Sequence, residues 1–333
     1  MLKGALFGFG NIGQMLATRI NFDKKYGDRA RIVAVCDRNR EMIEIAGTKF
    51  GIKGYLDAKE MLNNDLDFVC VVSTSIAHKE HVLLSAERNL PILCEKPIAL
   101  NLEDARDMVD AVEKRNLVNI VRYIFRYSSE YRALQRMVMN NKMGDILCVW
   151  ARNFRGYGLY VGGARHPAII KPEESGGWTI HHLCHMADVL LWFGGPVARV
   201  FCQHQSTVPD VYSEEIIWGN VTFKSSAIGS ISDTVACLED KSVGIIGTRG
   251  SAEVITDGIK PLIKYRKEGE ADFAPPHIID PMDLEDDVDE IEHFLNCIEH
   301  DESPIVTIRD AYESLKLAMA LKKSAVEGRI IHV

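Results

Sequence analysis

Three groups of residues have types and spacings that could do chemistry. Gly8-Phe9-Gly10-Asn11-Ile12-Gly13 follows the apolar run Leu2 to Phe7 and leads into Ile12, Leu16 and Ile20 at helical spacing. A strand that turns through glycines into a helix lets a pyrophosphate approach the backbone, and the unsatisfied N–H groups of the helix start attract its charge. Asp37 ends the next apolar run. A carboxylate there accepts hydrogen bonds from the adenosine ribose hydroxyls, which favours NAD and repels the 2′-phosphate of NADP. Arg38 beside it supplies a guanidinium able to clamp a phosphate or stack on adenine, so NADP stays open.

The second group, Cys94-Glu95-Lys96-Pro97, leaves a further apolar run at its carboxyl end. That is the edge at which open α/β sheets bind ligands, and burying Lys and Glu without partners is costly, so a pocket accounts for both. The third group runs from Ser175 to Asp188. As a helix that starts near Gly177, it puts His181, Cys184, His185 and Asp188 at i, i+3, i+4 and i+7 on one face, with Ile180, Leu183, Ala187, Leu190 and Leu191 as the core stripe. The i, i+4 histidine pair has zinc-ligand spacing but lacks the general-base Glu of a His-Glu-x-x-His motif, and no metal is expected.

These groups need a scaffold. Ile32 to Cys36, Phe68 to Val72, Ile92 to Cys94 and Val118 to Val121 are further runs apolar at consecutive positions, as in strands covered on both faces. Between them lie helical patterns such as 101 to 115, where Asn101 is a cap and Leu102, Ala105, Met108, Val109 and Val112 form a stripe. The predicted fold of residues 1–122 is an α/β Rossmann domain with a doubly wound parallel sheet. Beyond about residue 144 come the strand-like stretches 146 to 154, 197 to 205, 214 to 223, 226 to 236 and 242 to 247, joined by connections too short for crossover helices. Residues 123–333 are therefore expected to form an α+β domain around a large, mostly antiparallel open sheet.

In Glu214 to Phe223 both alternating sets are apolar, Ile216 and Trp218 on one and Ile217, Val221 and Phe223 on the other. Helices cover one such face and a second subunit the other, so a homodimer or homotetramer is expected. Two amphipathic helices, near 284 to 299 and 311 to 327, close the chain, the second before Gly328. The acidic run from Asp283 to Glu290 is read as a solvated, dipole-favoured helix start rather than a metal site.

Composition narrows the partners. The 333 residues carry 39 Lys plus Arg against 47 Asp plus Glu, a net charge of −8 that repels polyanions, and no basic patch offsets it, so nucleic acid is not an expected partner. No apolar run approaches the roughly 18 residues of a membrane span, and Met1 leads directly into a strand-like segment. A cytoplasmic protein is expected. The eight cysteines are scattered, form no Cys-x-x-Cys pair and sit mostly in apolar runs, as reduced core residues do.

In this order and spacing the motifs resemble the glucose–fructose oxidoreductase, inositol dehydrogenase and rhizopine-catabolism family (Gfo/Idh/MocA). The likeness covers nearly the whole chain. It rests on the glycine fingerprint, Glu95-Lys96-Pro97, Tyr123-Ile124-Phe125-Arg126-Tyr127 with Tyr131-Arg132-Ala133-Leu134, the Gly-Gly and His185-x-x-Asp188 segment, and Gly247-Thr248-Arg249-Gly250-Ser251-Ala252. The resemblance implies an enzyme that transfers hydride between nicotinamide and a secondary alcohol or ketone of a sugar, cyclitol or related polyol. The substrate is expected between the domains, with Lys96 and His185 on the reacting oxygen. Among the candidates, Lys96, His185 and His181 are catalytic; Gly8, Phe9, Gly10, Asn11, Ile12, Gly13, Asp37, Arg38, Ser73, Thr74, His78, Glu95 and Lys96 bind cofactor; and Lys96, Arg126, Arg152, Trp178, His185 and Asp188 bind substrate.

The chain departs from the family at two places. Many members carry Asp four residues before the matching histidine, where this chain has His181, so the usual Asp–Lys–His relay is unavailable. The loop after Val72, often Thr-Pro, is Ser73-Thr74-Ser75-Ile76-Ala77-His78. Other readings are a glycosidase or lyase that recycles its NAD, and a sensor that binds dinucleotide without turnover.

Overall fold

The apolar runs of the first 122 residues pair because strands that are hydrophobic on both faces need neighbours along both edges and helices above and below. In this computed structural model, which describes residues 1–156, 160–161, 164–165, 171–206, 214–237, 240–256, 260–271 and 274–333, they form strands β1 (Leu2–Phe7), β2 (Ala30–Cys36), β3 (Lys53–Tyr55), β4 (Phe68–Val71), β5 (Ile92–Cys94) and β6 (Asn119–Val121). All neighbours are parallel, in the order β3-β2-β1-β4-β5-β6. The order reverses between β1 and β4, and the crevice beyond the carboxyl ends of such strands is where a doubly wound sheet takes its ligand. Strand β3, Lys-Gly-Tyr, is too short and polar to stand out in the sequence. Helix Leu102–Glu113 forms where its stripe predicts it, with the Asp104 N–H donating to Asn101 Oδ1 at 2.8 Å.

The chain divides into two units: Met1–Arg122 with Asp289–Tyr312, and Tyr123–Val288 with Glu313–Val333. The expected carboxyl-terminal domain of 123–333 thus gives up 289–312 to the first unit. The reason is apolar cover: Ile291, Phe294 and Leu295 of helix Glu290–Glu299 are buried in one cluster with Leu6, Ile20 and Phe68. The acidic run is the expected solvated, dipole-favoured helix start only in part: Asp283, Asp286 and Asp287 are exposed, but the residues at its end have fixed partners. Asp289 caps the helix at the Ile291 N–H (3.0 Å) and also accepts from Arg19 Nη2 (2.9 Å) and the Tyr26 hydroxyl, while Glu290 pairs with Arg122 Nη2 at 2.6 Å. The Asp289 cap sets the helix start at Glu290, not near 284.

The second unit is built on nine strands: β7 (Ile146–Gly156), β10 (Val197–Gln205), β11 (Ile216–Phe223), β12 (Ile228–Cys237), β13 (Asp240–Gly247), β14 (Gly250–Thr256), β15 (Pro261–Lys267), β16 (His277–Ile279) and β17 (Ile331–His332), with β8 (Tyr160–Val161) and β9 (Ala164–Arg165) as a separate hairpin. Their order is β16-β15-β14-β13-β7-β12-β11-β10-β17, antiparallel except for the β12–β7 pair. One face, with Val149, Ala151, Ile231 and Val243, packs on Leu183, Met186, Ala187 and Leu190 of the histidine-bearing helix. The other leaves Trp218 49%, Phe201 37% and Ile228 58% exposed, and Phe201 and Ile228 line a cavity of ≈ 510 Å³. Of the two apolar sets on β11, the Trp218 set faces outward. Among the described residues, no helix is long and apolar enough to cross a membrane.

Candidate cofactor cradle and histidine site

Gly8 turns the chain out of β1 at φ +98°, and a Cβ there would stand 2.7 Å from Ser73 Cα. Only glycine fits. A Cβ on Gly13 would meet Gly8 O at 2.4 Å, whereas the space beside Gly10 is open to 4 Å. Gly10, Asn11 and Ile12 are exposed at the start of helix Asn11–Phe22, whose cap makes no side-chain hydrogen bond, so its first N–H groups face an open cradle. Asp37 follows β2, accepts from Phe9 N–H at 2.7 Å and Asn39 N–H at 2.8 Å, and lines a cavity of ≈ 510 Å³ with Gly8, Arg38, Ser73, Thr74 and His81. These residues fit a dinucleotide: glycines where phosphates approach, a helix start for their charge, and a carboxylate at the ribose position.

Two predicted cofactor contacts take other roles. Phe9 is wholly buried and its N–H is committed to Asp37, so it shapes the loop from beneath. His78 is 1% exposed, with Nδ1 3.0 Å from Pro97 O and Nε2 3.0 Å from Ser73 O, so its ring ties the loop after β4 to the loop after β5. Burial pushes its pKa down. His81, one turn on and missed in the sequence, lines the cavity instead: it stacks on Phe7 at 4.3 Å and bonds Ser73 Oγ at 2.9 Å. Burial, then the neighbouring His78, lowers its pKa to about 4.

Lys96 is half-buried just past β5, before a cis Pro97. Glu95 Oε2 accepts the Lys96 N–H at 3.0 Å and Oε1 is paired with Arg122, which also donates to Glu290 from Nε at 3.0 Å. Glu95 therefore fixes the lysine's backbone, backed by Arg122, 27 positions on, and through it by Glu290, distances that spacing could not suggest.

In the second unit the predicted regular helix is interrupted. Thr179–Leu183 is a π turn and Cys184–Gly194 an α-helix. A π turn adds about one residue of phase, and it lies between His181 and the regular helix that carries His185. His182 faces the sheet, its ring 5.8 Å from that of His185 and stacked 4.4 Å from Trp178, and its Nδ1 2.8 Å from Asp233. His181 is half-buried, its ring 6.5 Å from Trp178. His185 is 7% exposed, with Tyr123 and Phe125 rings 5.7 and 5.5 Å away. The segment's start is tied down: Thr179 N–H donates to Glu214 Oε1 at 2.9 Å and Lys322 Nζ to Gly176 O at 2.6 Å. Against the cost of its burial, Lys322 and Thr179 hold Glu214 below the usual carboxylate range.

Four predicted substrate contacts have structural partners. Arg126 and Asp188, both buried, form a bidentate pair at 2.8 Å, and Ser314 Oγ adds a third bond to Asp188 at 3.2 Å. A buried fork of this kind is a brace between segments 62 residues apart. Arg152 alternates with the inward Asn153 and so lies on the outer sheet face, paired with Asp240 at 2.9 Å and over Phe154. Trp178 is 1% exposed and gives its indole N–H to Asp233.

A glycine cradle at the reversal of a doubly wound sheet, with a ribose-facing carboxylate, defines a dinucleotide-dependent enzyme. Residues 2–123 match the GFO_IDH_MocA oxidoreductase family's NAD-binding Rossmann fold and residues 135–333 its carboxyl-terminal alpha/beta domain. The chain belongs to this family and is an NAD-dependent oxidoreductase. It is 27% identical to D-apiose dehydrogenase from Paraburkholderia graminis over 92% of this chain and 84% of that protein. With myo-inositol 2-dehydrogenase from Thermotoga maritima it shares 23% over 99% of this chain and 98% of the other. The fold matches levoglucosan dehydrogenase, solved with NADH and levoglucosan, at a TM-score of 0.85 and 19% identity, covering 100% of this chain and 99% of that one.

Proposed function

We propose that the chain oxidises a secondary hydroxyl of a sugar, cyclitol or related polyol, or reduces the matching ketone, with NAD preferred over NADP. The observation that carries this reading is the near-full-length match to an apiose and an inositol dehydrogenase in a chain that keeps Lys96 and His185. When bound, NAD supplies the hydride acceptor. The chain's residues handle the proton and the charge: the Lys96 ammonium stabilises negative charge growing on the substrate oxygen, His185 takes the hydroxyl proton, and His181 orients or relays. The enzyme is cytoplasmic, in keeping with seven free cysteines among the described residues. It assembles as a homodimer or homotetramer through the outer sheet face, anchored by Trp218.

The test is a screen of D-apiose, levoglucosan, myo-inositol and their keto forms with both cofactors, followed at the nicotinamide absorbance. Net NADH formation from a polyol supports the reading. Substrate conversion without net NADH would replace it with recycled-cofactor chemistry, and tight NADH binding without turnover on an extended polyol panel would replace it with a sensor.

A further inference from the structure

Asp233 on β12 is wholly buried, and a buried carboxylate is costly unless donors match its oxygens. Here Oδ1 accepts Trp178 Nε1–H at 2.9 Å, and Oδ2 accepts from His182 Nδ1 at 2.8 Å and Asn153 Nδ2 at 3.2 Å. A carboxylate only accepts, so the 2.8 Å contact places a proton on His182 Nδ1 and fixes the tautomer. The ring is also held in plane, lying 10° from parallel to the Trp178 indole, and it meets His185 edge-to-face at 69°. A carboxylate–imidazole–imidazole chain therefore runs from the sheet to His185. Neither the glycine cradle nor the Lys96 loop uses it.

We propose that Asp233 and His182 are positioning residues for His185: Asp233 fixes the tautomer and plane of His182, and His182 orients the His185 ring and passes on the influence of the negative charge behind it. The proposal rests on His185 being the proton-exchanging group. Among the described residues, these charged and titratable groups stand near His185. His181 precedes it in the π turn, Asp188 follows on its own helix and is matched by Arg126, Tyr123 packs against the ring, and Lys241 of β13 lies over Phe125 at 5.7 Å. Asp233 differs from Asp188 in that its three donors include no permanent cation. Its charge therefore raises the affinity of the adjacent imidazoles for a proton.

The test is histidine-selective 15N spectroscopy of the full chain with NADH bound, titrated with pH. In the unsubstituted protein, His182 is expected in the Nδ1–H form. In His182→Asn, which keeps a donor for the buried carboxylate, and in Asp233→Asn, the His185 midpoint is expected to fall by about half a pH unit or more. A fold-only role for the pair would leave that midpoint unmoved. An Nε2–H tautomer at His182 in the unsubstituted protein, or an unchanged His185 midpoint in whichever variant folds, overturns the proposal. Normal turnover in His185→Ala would instead remove the proton-exchange role while leaving this spectroscopic result standing.

Discussion

Lys96 presents its charge from a backbone fixed by Glu95, so its side chain can be changed without releasing the loop. Lys96→Met and His185→Ala should each lower kcat by roughly 10²-fold or more, the scale of acid/base and oxyanion-stabilising groups. Dissociation of NADH should change no more than a few-fold, and near-normal turnover in both variants would place the chemistry elsewhere. Asp37 makes a separate prediction. Its carboxylate sits in the cofactor cavity with Arg38 alongside, so Asp37→Ala should weaken NAD binding and narrow its preference over NADP. Titration of both cofactors checks it, and an unsubstituted protein that binds NADP at least tenfold tighter would make Arg38 the determinant.

At the scale of elements, the loops that follow β4 and β5 depend on two imidazoles whose affinity for a proton is lowered by burial. The unfolded chain protonates His81 near 6.5, but the folded chain does so only near 4. Between those values the unfolded state binds more protons, so stability is full above about pH 6.5 and is lost as pH falls toward 4, by an amount of order 3 kcal/mol at the lower end. His78, shifted in the same direction, adds to the loss. Denaturant midpoints from pH 7.5 down to 5 should therefore fall, and fall less steeply in His81→Phe, which keeps an aromatic ring against Phe7. Equal slopes in the two proteins would refute this origin.

Elements also show what was legible in the sequence. The glycine loop, Asp37 and the Asn101 cap could be read because each is a local demand: a positive φ, a strand end, a helix N–H a few residues on. His182 and Asp233 were not, because one π turn shifts the phase of a helix without altering its composition, and the partners lie 51 residues apart. Arg126 and Asp188 looked like ligand contacts for a related reason. Charged residues near a site suggest substrate until each is seen to have found the other. Strand β15 is hard to read in the sequence because Lys264, Arg266 and Lys267 interrupt its apolar pattern, and β16 because it is three residues long.

For the whole molecule, the outer face of the large sheet is the place to test assembly. Trp218, Phe201 and Ile228 expose apolar area on that face, where Phe201 and Ile228 line a cavity, and exposed apolar patches are where copies of a chain can associate. Light scattering at micromolar concentration is expected to give a dimer or tetramer, and Trp218→Glu to shift it toward monomer. A monomeric unsubstituted chain would remove the idea.

The route of the chain between its two units has a consequence for how the molecule is made. The parallel sheet is complete in sequence at β6, yet Ile291, Phe294 and Leu295, which seal one of its faces, are translated only after strands β7 to β16. A nascent chain therefore carries an unsealed nucleotide-binding half throughout the synthesis of the second sheet. The amino-terminal half therefore gains the last of its apolar cover only when the carboxyl-terminal one is nearly finished.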